Sequence, residues 1–135
     1  TPFRGSLNEI EADLALRDFT IDAIALDPEK ETLLDPEAGI GDLQKRIIRS
    51  VGDPFARFNE DPLRLLRAVR ISAQLGFRIE PATLEAISQC PQLLSRAAPE
   101  RIRDELTKTI LTPKPLVPLR LLLKTGILSP VSQLL

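Results

Sequence analysis

The chain has 135 residues, 43% hydrophobic and 27% charged, enough apolar content to bury a core. It has no histidine and a single cysteine, Cys90, which excludes a Ser-His-Asp triad, a Cys-His pair, a histidine-ligated metal and an internal disulfide within this chain. The net charge of −1 hides an asymmetry, with −8 on residues 1–42, +5 on residues 43–78 and +2 on residues 79–135.

The basic middle third suggests an anionic partner, and it also fits helix faces that are simply solvated. Without Tyr or Trp, aromatic stacking is limited to five Phe, so a nucleotide or RNA would be held mainly through Arg. No apolar run reaches the length of a membrane helix and no signal peptide is visible, so the expected setting is cytoplasmic with no membrane partner.

In chain order, residues 7–15 are acidic with spaced apolar positions and predict a short helix. Residues 19–26, FTIDAIAL, carry β-branched residues in partial alternation and predict a strand. Asp27-Pro28 marks a turn, and residues 31–34 form a second extended run that could complete a hairpin. Residues 39–42 read as a loop, with Asp42 as N-cap of a short helix over 43–46. Residues 47–51 predict a brief strand closed by Gly52-Asp53-Pro54.

The pattern then becomes helical. A helix is expected to open at Asn59 or Glu60 with Pro62 in its first turn, and to end at Gly76. Its apolar stripe is Leu63, Leu66, Val69, Ala73 and Leu75. A second helix opens at Pro81 or Ala82, carries Leu84 and Ile87, and ends near Pro91. A third starts at residues 97–100, turns Ile102, Leu106 and Ile110 inward, and is broken by Pro113, Pro115 and Pro118. A last one covers 118–124 and stops at Gly126. The expectation is a small β-containing piece over residues 1–52 followed by a helical domain over 53–135.

Asp61, Arg64, Arg67 and Arg70 recur every third residue at the expected helix start, so successive members are neighbours on the surface. An Asp beside an Arg offers acceptors and donors that match a nucleobase edge, and further Arg could neutralise phosphates. The same series fits a solvated helix with Asp–Arg ion pairs.

Three segments in order carry a family resemblance: RDFTIDA (17–23), DPEAGIGDLQKRIIRSVG (35–52) and EDPLRLLRAVR (60–70). They resemble the RRDFTINA, hinge and EDxxR motifs of the class II tRNA nucleotidyltransferase/poly(A) polymerase family, which includes the CCA-adding enzymes. APERIRDEL (98–106) is similar to the helical segment that follows, and the resemblance spans roughly residues 9–130. It implies an α+β fold, the C-terminal part of a nucleotidyltransferase head followed by a mainly α-helical neck that binds nucleotide and RNA.

Position by position, the resemblance implies that Arg17 and Asp18 contact ribose and phosphate of the incoming nucleotide. It implies that Asp61 and Arg64 hydrogen-bond the base edges of CTP and ATP, and that Arg67 and Arg70 reach the triphosphate. The glycines at 39 and 41 would form a flexible connection between head and neck. Three departures stand out: Leu16 replaces an Arg, Asp22 replaces an Asn, and Ala38 replaces a hinge glycine.

Nucleotidyl transfer uses divalent ions held by a carboxylate pair, and this chain contains no Asp-x-Asp. The expectation is therefore that Mg2+ is bound by a segment upstream of this chain, that no catalytic or metal-binding residue lies within it, and that the isolated chain is inactive. Either a truncated enzyme or a separate head-domain chain as partner would account for this. The implied function is transfer of CMP and AMP from CTP and ATP to the 3′ end of tRNA. A poly(A) polymerase of the same family, or a non-catalytic RNA- or nucleotide-binding module, is the alternative.

Overall fold

The computed structural model describes residues 7–134, with side chains from 9 to 131. It contains eight α-helices among these residues: α1 (Leu7–Leu14), α2 (Gly39–Lys45), α3 (Pro54–Glu60), α4 (Arg64–Leu75), α5 (Pro81–Gln89), α6 (Pro99–Ile110), α7 (Leu116–Thr125) and α8 (Leu128–Leu134). Four short strands accompany them: β1 (Ala25–Asp27), β2 (Thr32–Leu34), β3 (Ile47–Ile48) and β4 (Arg78–Ile79). The α+β expectation holds, with the strands concentrated before residue 50.

The strand expected at 19–26 is replaced by an extended Phe19, a 3-10 turn at Thr20–Asp22 and then β1. Burial sets this break. Phe19, Thr20 and Ala23 are all buried, a spacing that no alternating strand produces. Phe19 forms an antiparallel bridge to Ser50, closed by Thr20 N–H on the Arg49 carbonyl at 2.9 Å and Val51 N–H on the Asp18 carbonyl at 3.0 Å. β1 and β2 form the expected antiparallel hairpin, Ala25 opposite Leu34 and Asp27 opposite Thr32. The Asp27 carboxylate closes its turn by accepting from Glu29 N–H at 3.0 Å and Lys30 N–H at 3.3 Å.

The expected loop at 39–42 is helical. Asp35, not Asp42, satisfies the first amides of α2, accepting from Gly39 N–H at 2.6 Å and Ile40 N–H at 3.0 Å. A Cβ at Gly39 would overlap the Thr20 carbonyl, so this glycine permits the 3-10 turn to lie against α2 rather than supplying a loose joint. The left-handed residue is its neighbour Ala38, at φ 56° and ψ 35°.

The helix expected from Asn59 starts earlier and is interrupted. Pro54 opens α3, and Asp61 is extended at φ −141°, ψ 98° because Pro62 disfavours the helical conformation in the residue before it. α4 begins only at Arg64 and ends at Gly76, whose φ of 69° provides the left-handed stop. The segment after α4 contributes β4, which pairs in parallel with β3. α6 turns Ile102, Glu105 and Thr109 inward, with Leu106 half-buried, while Ile110 is 55% exposed. Ile102, Glu105, Leu106 and Thr109 share one face, and Ile110 lies about 100° around the helix from Thr109, at the edge of that face. α3, the 3-10 segment Pro91–Arg96 and α8 were not foreseen.

Phe19 and Ile48 join the helical core of Phe58, Leu65, Leu66, Val69, Ile87 and Ile102. A smaller cluster of Leu14, Ala23 and Val51 seats α1 and the hairpin. A polar relay ties the two parts of the fold together. Buried Asp42 accepts from the Thr20 hydroxyl at 2.6 Å and from Arg49 Nε at 3.0 Å. Arg49 Nη1 lies 3.4 Å from Glu80, and Glu80 caps α5 by accepting from Thr83 N–H at 3.0 Å. Burial pushes the Asp42 carboxyl up, but the hydrogen bonds from Thr20 and Arg49 outweigh it and hold the group below its ordinary value.

Two outcomes are expected. Ala38→Gly should stabilise the fold by about 1 kcal/mol in urea unfolding, because glycine removes the Cβ cost of the left-handed conformation. A carboxylate with a lowered folded pKa contributes stability above its unfolded value, lost as pH falls through the folded value. Stability should therefore decline as pH drops below the ordinary 3.8. Asp42→Asn should flatten that acid limb, and at pH 7 it should cost on the order of 1–3 kcal/mol. Urea unfolding from pH 3 to 7 checks both points.

Candidate nucleotide-binding site

Asp18 organises the site. It is buried, its Oδ1 accepts from Phe19 N–H at 2.9 Å, and its Oδ2 accepts from Arg67 Nε at 2.6 Å. The pair brings the turn after α1 against the middle of α4, 49 residues later in sequence. Burial works against the Arg67 charge, and the Asp18 hydrogen bond and field more than offset it, so the guanidinium is held above its ordinary pKa.

A cavity of about 280 Å³ opens beside this pair. Its wall includes Arg17, Asp18, Asp61, Arg64 and Arg67, five of the six residues singled out from the sequence. Leu16, Asp22 and Arg101 complete it. Arg70 does not line it. Instead Arg70 Nε and Nη2 hold both oxygens of buried Glu105, and Nη1 donates to Gln74 at 3.0 Å.

Asp61 and Arg64 do not pair with each other, because Asp61 sits in the break before α4 while Arg64 is already in the helix. Asp61 Oδ1 accepts from Leu63 N–H at 3.2 Å, closing the turn that starts α4, and Oδ2 faces Arg101 at 3.5 Å. Arg64 reaches back over the end of α3, donating to the Arg57 carbonyl at 3.1 Å and to Glu60 at 3.2 Å, and to the Leu16 carbonyl at 3.4 Å. Hydrogen bonds from Arg64 and Arg57 hold the Glu60 carboxyl below its ordinary value. The apolar side chain at 16 is 66% exposed, and the position contributes through its backbone oxygen. Arg17 is paired with Asp13 at 3.0 Å on the surface.

Three partners escaped the reading of the sequence. Arg101 and Glu105 lie one turn apart on α6 within the APERIRDEL segment, and their i, i+4 spacing on a face shared with Ile102 was the available signal. Arg57 braces the site from below, donating to the Ala15 carbonyl and, at 3.1 Å, to the Val51 carbonyl. Among the described residues, no group of three or more His, Cys, Asp or Glu side chains could hold a metal ion. Asp18 already accepts from Phe19 N–H and Arg67 Nε, and with no such group of ligands around it the residues here do not fit a divalent-ion centre.

The cavity can therefore receive an anion at its arginines and hydrogen-bond a planar polar edge at Asp61 and Arg64.

Known proteins resemble this chain over most of its length. Residues 4–49 match the model described as the poly A polymerase head domain, and residues 76–134 match that of the probable RNA and SrmB-binding site of polymerase A. The CCA-adding enzyme of Limosilactobacillus fermentum is 49% identical over 105 residues, 78% of this chain and 26% of that protein. The CCA-adding enzyme of Anoxybacillus flavithermus is 43% identical over 132 residues, 98% of this chain and 32% of that protein.

Among solved structures, the Bacillus stearothermophilus CCA-adding enzyme in complex with CTP superposes with a TM-score of 0.84 at 44% identity, covering 87% of this chain and 30% of that one. The Thermotoga maritima CCA-adding enzyme complexed with tRNA gives 0.82 at 34% identity, covering 90% of this chain and 30% of that one. The chain thus spans about a quarter to a third of the length of these relatives. With the head-domain match, the polymerase RNA-binding match and the motif residues gathered on one cavity, the chain belongs to the tRNA nucleotidyltransferase/poly(A) polymerase family.

Proposed function

We propose that this chain supplies nucleotide selection and part of the RNA-binding surface to a tRNA nucleotidyltransferase that transfers CMP and AMP from CTP and ATP to a tRNA 3′ end, releasing pyrophosphate. The observation that carries the reading is the convergence of Arg17, Asp18, Asp61, Arg64 and Arg67 on one cavity from two distant segments. Relatives described with CTP and with tRNA support it.

The base would be read at Asp61 and Arg64. A carboxylate accepts from an exocyclic amino group, which C and A both carry. A guanidinium donates to a ring nitrogen or carbonyl. U and G present a mismatched pattern and leave one of these groups unpaired. Arg101 holds Asp61 Oδ2 at 3.5 Å, long enough to yield to a better donor. Arg17 and Arg67 face the phosphates, and Arg70 acts at a remove, by fixing Glu105, which also faces Arg67 at 3.8 Å.

Mg2+, when bound, would activate the attacking 3′ hydroxyl and offset triphosphate charge. We place it on carboxylates outside the described residues, among which no group of three or more His, Cys, Asp or Glu could hold a metal ion. The head–neck boundary is proposed near residue 52. Among the described residues no helix is long and apolar enough to cross a membrane, and a cytoplasmic setting is proposed with the tRNA substrate.

The test uses the full-length enzyme that carries this chain. Asp61→Ala and Arg64→Ala should each lower discrimination of CTP and ATP against UTP and GTP by about 10- to 100-fold, corresponding to about 1–3 kcal/mol per unpaired group. Arg67→Ala should weaken all four nucleotides alike, because phosphate contacts carry no base information. Steady-state kcat/KM for the four nucleotides decides it. Full base selectivity in both the Asp61 and Arg64 variants would refute the assignment. Incorporation of AMP alone, with CTP refused, would favour a poly(A) polymerase.

A further inference from the structure

Residues 43–78 carry eight basic side chains. Five of them, Arg49, Arg57, Arg64, Arg67 and Arg70, form ion pairs with acids of the protein. The other three are Lys45, Arg46 and Arg78. All three are exposed, and none makes a side-chain hydrogen bond or ion pair among the described residues. They are the part of this basic excess that the fold leaves unpaired.

The three come from two segments and lie in one corner of the molecule. Lys45 ends α2, Arg46 caps that helix, and Arg78 opens β4. Arg78 N–H donates to the Arg46 carbonyl at 3.1 Å, and Arg78 stands opposite Ile47 in the β3–β4 pair. The nearest carboxylates along the chain, Asp42 and Glu80, both turn to Arg49. Arg46 is held in the left-handed region at φ 58°, ψ 53°. Glycine takes that conformation without the Cβ cost, so the backbone gives no reason for an arginine there. The corner sits at the opposite end of α4 from Asp61 and Arg64, about 18 Å away by the rise of the 12 residues of this helix.

Three cations with no acceptor beside them suit an anion from outside, and guanidinium groups match phosphate oxygens in a fork. An RNA backbone carries a phosphate at every nucleotide, so it can meet several separated cations at once, which one small anion cannot. The polyanion proposed as substrate of this chain is tRNA. We propose that Lys45, Arg46 and Arg78 form a second RNA contact, gripping backbone phosphates of the tRNA away from the 3′ end that enters the nucleotide cavity. This rests on the tRNA reading above and places part of the RNA surface outside the nucleotide site. Contacts of this kind add affinity and salt dependence and carry no base information.

Titration of the full-length enzyme that carries this chain with tRNA, over a range of KCl concentrations, tests the proposal. Replacing all three residues with alanine should raise Kd about tenfold and lower the slope of log K against log salt by about 2. KM for CTP at saturating tRNA should not change. Arg46→Gly separates binding from folding. It should weaken tRNA binding while the urea midpoint stays equal or rises, because glycine suits φ 58°. Unchanged tRNA affinity and slope in the triple variant would overturn the proposal and leave the nucleotide reading standing. Weaker binding with an unchanged slope would also overturn it, since no phosphate contact would have been lost. So would a lower urea midpoint with unchanged tRNA affinity, since the cations would then pair with an acidic segment elsewhere in the full-length protein. No tRNA binding by the unaltered enzyme would instead overturn the tRNA reading and the proposal together.

Discussion

The ion pair between Asp18 and Arg67 holds the site together. At 2.6 Å, with the carboxylate only 7% exposed, it is a charge-assisted bond shielded from solvent rather than a surface contact. Burying a carboxylate is costly, and here the cost is met by two donors on its two oxygens. Breaking such a pair by removing one partner typically costs about 3–5 kcal/mol, because the other charge is stranded. One wall of the cavity depends on this contact. It fixes the turn that carries Arg17 and Asp22, and it holds the α4 arginine that Glu105 approaches from the far side.

Around that pair, the arginines are preorganised by acceptors that a ligand need not displace. Arg57 and Arg64 draw on the Ala15, Val51 and Leu16 carbonyls and share Glu60, and Arg70 is locked on Glu105. Of these, Arg64 stands on the cavity wall, with its side chain already ordered before an anion arrives. The ordering entropy that binding would otherwise cost is correspondingly reduced. Asp61 is the exception. Its turn-closing bond uses one oxygen, and the other meets Arg101 at a distance that leaves it exchangeable.

The polar relay from Thr20 through Asp42, Arg49 and Glu80 to Thr83 does for the fold what Asp18–Arg67 does for the site. It joins the 3-10 turn, α2, the strand β3 and α5 in one set of satisfied groups. No buried side-chain nitrogen or oxygen among the described residues is left without a partner. Gly39 is part of the same packing, since its missing side chain lets the Thr20 carbonyl rest on α2.

Much of this was legible in the sequence. The hairpin followed from the turn at Asp27-Pro28, the helix stops from Gly76 and Gly126, and the run of helices from the change in period after Pro54. Asp61, Arg64 and Arg67 stood out by their spacing and Arg17 and Asp18 by the family resemblance, and the structure brings the five to one cavity. What could not be read locally was decided by burial. Phe19, Thr20 and Ala23 leave the strand pattern because the core takes all three, and Ile110 leaves the core because helical rotation carries it past the face that Thr109 occupies. The partners of the charged groups were equally hidden. Asp61 could equally have faced Arg64, and Arg70 could have faced the cavity, until α6 brought Arg101 and Glu105 alongside. Sequence by itself determined which charged groups the chain carries and how they are spaced. Only the tertiary structure decided which are already spent on one another, because a hydrogen bond or ion pair depends on distances set by segments far apart in the chain.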